Sequence, residues 1–302
     1  MHIRYGYRIE LVCAQPMPLI SMLDLHPSRH SDITERSEMV VTGLANGEAI
    51  TAISEYEDSF GNVCRRFTVP AGGAILSASG VVHDPGFPDP QDALAEAALP
   101  ERLPDDTLMY LLGSRYCETD KLSNQAWAMF GNIQGGWARV QAICDFVHGH
   151  LRFDYGNARP TRSAAEAYDE RSGVCRDYAH LALTFCRCLN IPARYCTGYL
   201  GDIGVPADVN PGDFSGWFEA YLGGHWWTFD ARHNKARIGR ILIARGRDAT
   251  DVPMINSFGA HTLQRFEVIT DELGGARFPV SSTARRDHWA LNTTLRETGG
   301  VA

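Results

Sequence analysis

Short runs of strand-forming residues, separated by turn signals, fill the first hundred positions. Residues 3–13 are rich in aromatic and aliphatic side chains, residues 49–56 follow Asn46-Gly47, residues 62–69 alternate after a turn at 58–61, and residues 74–82 follow Gly72-Gly73. Several short strands at this spacing predict a β-sandwich or barrel-like unit. Pro85, Pro88, Pro90, Pro100 and Pro104 then predict an extended connection over 84–106. Beyond it the period changes. Thr119-Asp120 can cap a helix over 121–130, and Val140, Ile143, Cys144 and Val147 fall at helical spacing within 137–150. A short helix over 162–170 and an apolar one over 178–189, closed by Asn190 and Pro192, come next. Residues 193–200 read as a strand, and 214–222 and 225–231 as an aromatic-rich hairpin joined by Gly223-Gly224. The pattern is α+β. We expect a β-rich N-terminal domain over 1–105, a mixed core over 106–275 and a polar C-terminal extension over 276–302.

Composition narrows this picture. The chain has 302 residues, 44% of them hydrophobic and 21% charged, as in ordinary globular proteins that bury a full core. The formal net charge of −8 argues against nucleic-acid or anionic-membrane partners. No 18-residue apolar run is present, and the N-terminus has no basic region followed by an apolar one. The eight cysteines form no Cys-x-x-Cys pair, which argues against a zinc site or a dithiol redox motif. We expect them to be reduced, in a cytoplasmic protein without a metal or other cofactor. His26 and His30 have helical metal-ligand spacing, but Pro27 and the lack of a third ligand argue against a site.

One cysteine stands apart. Residues 171–181 read Arg-Ser-Gly-Val-Cys-Arg-Asp-Tyr-Ala-His-Leu, a glycine-ended loop that places Cys175 at the opening of an apolar helix. The positive end of a helix favours a thiolate, and the backbone N–H groups there can stabilise an oxyanion. Trp217 reads as a core or cleft wall, Arg176 and Arg232 as cations able to lower the thiol pKa.

These residues resemble the transglutaminase-like superfamily, specifically its bacterial cysteine-protease-like members. The resemblance rests on Gly173-Val174-Cys175-Arg176-Asp177-Tyr178-Ala179, on 189–195 and 197–199, and on 213–221 and 227–230, about a third of the chain. It implies an N-terminal β-sandwich-like domain followed by a papain-like α/β core. It also implies acyl transfer or amide hydrolysis through a thioester, with no metal. Cys175 matches the nucleophile and Asp230 the orienting acid. The usual pattern Asp-Phe-His-Ala-Trp is replaced by Asp-Phe-Ser-Gly-Trp over 213–217, so Ser215 stands where the family places its base.

With Gly223-Gly224 as the loop, Leu222 faces His225, Trp217 faces Asp230 and Ser215 faces Arg232. Residues 215, 217, 230 and 232 then share one face, and His225 and His233 point to the other. His180 lies about 140° around the helix from Cys175 and should not meet the thiol. The expected catalytic group is Cys175, Ser215 and Asp230, with Trp217, Arg232 and Arg176 lining a peptide or small-amide site. The competing expectations are a degenerate site that binds such a ligand without turnover, and different thiol chemistry in the same pocket.

Overall fold

The first strand, β1 (His2–Val12), shows how the N-terminal half is built. Ile3, Tyr5, Tyr7, Ile9 and Leu11 enter the core while Arg4 stays exposed, because successive strand residues point to opposite faces. The computed structural model describes residues 1–36, 38–206 and 214–274. Six strands follow: β2 (Met17–Ser21), β3 (Ile33–Arg36), β4 (Val40–Gly43), β5 (Ser54–Glu57), β6 (Val63–Val69) and β7 (Ala74–His83). β7 pairs antiparallel with β1, β3 and β4, and β6 pairs with β2 and β5. Buried side chains of both sheets belong to one continuous apolar core.

The proline-bearing segment 84–106 does more than connect. Ala95 is buried and its carbonyl accepts the Trp137 N–H at 2.9 Å, and the Glu96 carbonyl accepts the Gly223 N–H at 2.8 Å. The segment is therefore strapped along the second half of the chain.

That half contains α1 (Asp105–Leu108), α2 (Thr119–Phe130), α3 (Gly136–His150), β8 (Arg152–Phe153), α4 (Ala164–Glu170), β9 (Ser172–Gly173) and α5 (Cys175–Cys188). Then come β10 (Ala193–Leu200), β11 (Phe214–Leu222), β12 (His225–Phe229) and β13 (Arg240–Gly246), in the antiparallel order β12-β11-β10-β13. Helix α5 is buried at every position after Cys175. It lies between this sheet and helices α2, α3 and α4, as a helix without a polar face must. Gly223 and Gly224 take φ values of 58° and 85°, the left-handed conformation of a two-residue hairpin turn, and pair Leu222 with His225 as expected.

The last described strands correct the expected layout. β14 (Ile255–Ser257) pairs with β2 and β15 (Thr262–Leu273) pairs with β1. Residues 255–273, assigned from sequence to the 106–275 core, thus complete the N-terminal sheets. The reason is nonlocal: β1 and β2 would otherwise present open edges, and nothing in the local pattern of 255–273 names its partner. The expected extension over 276–302 lies outside the described residues. No described helix is long and apolar enough to cross a membrane.

Candidate active site

The loop before Cys175 is held by a buried carboxylate. Asp177 accepts the Val174 N–H at 3.0 Å and pairs with Arg162 at 3.2 Å and Arg176 at 3.1 Å. It thereby satisfies one of the orphan N–H groups at the start of α5. Arg176 also donates to the carbonyls of Pro160 and Arg159. A Cβ on Gly173 would stand 2.6 Å from the Asp177 Cβ, so only glycine admits this carboxylate. The expectation that Arg176 binds substrate is corrected here. Its side chain is buried and its guanidinium is committed to the loop.

Cys175 opens α5 and, of the eight cysteines, is the only one not buried. Burial raises the thiol pKa of the other seven. Cys64 and Cys188 are pushed up to about 11 and Cys117 to about 12, with Cys13, Cys144, Cys186 and Cys196 also raised. Burial likewise lifts the Tyr195 phenol well above its ordinary value, and Cys175 adds to the rise. The thiol therefore lies near Tyr195, whose hydroxyl stands 2.5 Å from where a Gly216 Cβ would be. Cys175, Tyr195 and Gly216 form one neighbourhood between α5 and the sheet.

The hairpin departs from the expected geometry at its end. β12 stops at Phe229, and residues 230–234 form a turn closed by the Asn234 N–H on the Asp230 carbonyl at 2.8 Å. Strand alternation therefore does not extend to Arg232 or His233. Ser215 does not face Arg232 across a ladder, because none continues there. His233, expected on the opposite face, instead folds back onto Asp230. Its backbone N–H reaches Asp230 Oδ1 at 3.0 Å and its Nδ1 lies 2.8 Å from Oδ2. Arg232 lies over the Phe153 ring at 3.9 Å.

Asp230 is nearly inaccessible, and burial alone would raise its pKa. Arg240, at 2.8 Å from Oδ2, and His233 overcome this and hold the carboxyl far below the usual carboxylate range. Arg240 is also bound by Asp89 at 2.9 Å, which ties the proline-rich strap to the site. Sequence reasoning missed Asp89, Arg240 and His233. The visible signal was Asp-x-x-His at the end of a hairpin followed by the turn-former Asn234.

Ser215 and Trp217 are buried. Trp217 packs with Cys196 and Leu242, with Arg240 stacked on its ring at 5.1 Å, and alternation puts Ser215 on the same face of β11. Trp217 and Ser215 thus lie on the face of β11 opposite Gly216, beside Arg240. The Ser215 hydroxyl has no hydrogen-bond partner among the described residues.

Other histidines are committed elsewhere. His180 stacks on Tyr116 and its Nε2 accepts the Ala249 N–H at 3.1 Å, while burial drives its pKa down. His26 caps a turn by accepting the Ser28 N–H, and burial first, then Arg245 and Arg194, lower its pKa to about 4. His30 contacts the Leu25 carbonyl.

Residues 114–231 match the family described as the transglutaminase-like superfamily. "Uncharacterized protein ML0607" of Mycobacterium leprae is 36% identical over 117 residues, 37% of this chain and 41% of that protein, so the match spans less than half of that relative. The crystal structure named "Putative Cysteine Protease from Cytophaga hutchinsonii" shares 29% identity, covers 95% of both chains and superposes with a TM-score of 0.77. The periplasmic domain of TgpA from Pseudomonas aeruginosa is more distant, at 14% identity over 76% of this chain and 90% of that one, with a TM-score of 0.36. From the Cys175 loop through the β11–β12 hairpin, residues 114–231 are a transglutaminase-like core domain.

Proposed function

We propose that the chain carries out Cys-dependent acyl transfer or hydrolysis on a peptide or small amide, through a thioester on Cys175. The observation that carries this reading is the contrast among the cysteines: seven are buried with raised thiol pKa values, and Cys175 alone is accessible, at a helix N-terminus. The α5 dipole favours its thiolate, and backbone N–H groups at a helix start are the donors that a developing oxyanion needs. Asp230 serves as the orienting acid, and Asp177 with Arg162 and Arg176 keeps the nucleophile loop in place. Likeness to the Cytophaga hutchinsonii protein, over nearly all of both chains, supports the same reading.

Alkylation by iodoacetamide across pH, followed residue by residue by mass spectrometry, tests it. Cys175 should label at neutral pH, well below the pH needed for a free thiol near 8.5, and C175A should lose that labelling. A free-thiol profile at Cys175 would count against turnover. It would favour the second reading, a binding protein without catalysis, to which the serine at position 215 also points.

A further inference from the structure

The site has lost its histidine at 215 but not its imidazole. We propose that His233 is the general base for Cys175, delivered from the turn after β12 instead of from β11. This inference rests on the acyl-transfer reading above.

The argument begins at the acid. An ionised carboxylate only accepts hydrogen bonds, so the 2.8 Å contact with Asp230 Oδ2 requires His233 Nδ1 to donate. The neutral ring then carries its lone pair on Nε2, the tautomer a base needs. Among the described residues Nε2 has no hydrogen-bond partner, and the side chain is 20% exposed. Asp230 is the residue that the family pattern assigns to orient a histidine. Here that acceptor already holds one.

The turn is also tied to the nucleophile loop through the Phe153 side chain and its strand. From one side, His148 Nδ1 lies 2.9 Å from the Arg232 carbonyl, and Asn234 donates to Asp145 at 2.7 Å. From the other, Arg232 rests on Phe153, whose backbone pairs with Gly173, two residues before Cys175. The same Phe153 ring packs at 6.3 Å from Tyr178, one turn into the helix that Cys175 opens. Arg232 and Tyr178 are close enough for the arginine to lower the phenol pKa against the larger effect of burial. The charged groups around His233 are Asp230, with Arg240 and Asp89 behind it, Arg232, Lys235 and Arg237 on its own segment, and His148 and Asp145 on α3.

In this arrangement the proton of the Cys175 thiol passes to His233 Nε2. The thiolate forms an S–C bond to the substrate carbonyl carbon, and the π pair moves onto oxygen. When the oxyanion collapses, the C–N bond breaks and the Nε2 proton goes to the departing nitrogen. Water then gives a proton to Nε2 as its oxygen adds to the thioester. The C–S bond breaks and the proton returns to sulfur.

The test compares wild type, H233Q, S215H/H233Q and D230N by the pH dependence of iodoacetamide labelling at Cys175 and by the release of p-nitrophenol from p-nitrophenyl acetate. H233Q should move the labelling midpoint up toward a free thiol, with at least a tenfold loss of labelling at pH 6, and should lower esterase turnover by about 10²–10⁴. Adding S215H to H233Q should restore labelling at neutral pH, since it returns an imidazole to the same acid. An H233Q profile identical to wild type overturns the proposal while leaving the acyl-transfer reading intact. If H233Q does not fold by circular dichroism, D230N decides, and an unchanged profile there overturns the proposal equally. If wild-type Cys175 itself behaves as a free thiol, the broader reading fails with it.

Discussion

Two buried carboxylates, Asp177 and Asp230, are built almost alike and do different work. Each accepts a backbone N–H and holds two basic side chains: Arg162 and Arg176 on Asp177, Arg240 and His233 on Asp230. The difference is a single partner. Both guanidiniums on Asp177 are permanently charged and have donors only, so that cluster can clamp a loop but cannot exchange a proton. On Asp230 one guanidinium is replaced by the His233 imidazole. The same arrangement of charges then holds an imidazole, a side chain that can both accept and donate a proton.

The comparison can be broken from its structural side first. Replacing Asp177 by alanine leaves Arg176 buried without a carboxylate, leaves Arg162 with Glu170 only, and frees the Val174 N–H, at an expected cost of about 3–5 kcal/mol. Thermal melting should show a large drop, and Cys175 should label like a free thiol. If D177A melts like wild type, the loop is held by something else. Asp230→Asn comes next. It keeps the shape but loses the charge, and p-nitrophenyl acetate turnover should fall by about 10²–10⁴. The melting temperature should move less than in D177A, because Arg240 keeps Asp89. Equal turnover in D230N and wild type would remove Asp230 from the chemistry.

Gly173→Ala sharpens the clamp side, since its new methyl meets Asp177 at 2.6 Å. Overpacking of this kind costs about 1–3 kcal/mol, readable as a shift in the urea midpoint without a change in slope. The smallest effect is in acid. The folded pKa of Asp230 is depressed, so its contribution is fully present above the ordinary carboxylate pKa and is lost as pH falls below about 4. Melting between pH 2 and 6 should therefore show a steeper acid limb in wild type than in D230N. Parallel limbs would mean that the carboxyl is not held ionised by the fold.

Much of the site can be read from the chain. The glycine-ended loop, the apolar helix and the two-residue hairpin turn are local signals, and they place Cys175 at the first residue of α5 and pair Leu222 with His225. The loop's anchors could not be read the same way. Arg176 looks like a free cation in sequence, yet it is buried against Asp177 and two carbonyls. Strand alternation continued past Phe229 predicts His233 on the face opposite Asp230, whereas the turn after β12 folds it onto that carboxylate. A strand's period is local, but its end depends on which partners remain to pair with it. Residues 255–273 make the same point, since their pairing with β1 and β2 joins segments more than two hundred positions apart.

The sequence by itself determined the α+β pattern, the helix-opening cysteine and the serine at position 215, because these rest on short-range periodicity and on residue identity. Only the tertiary structure decided that Arg240 and His233 converge on Asp230, with Asp89 bound to Arg240 behind it. It also decided that seven of eight thiols are buried and that Cys175 is partly exposed. Burial and charge pairing act through space between residues far apart in the chain, and no local pattern encodes that distance.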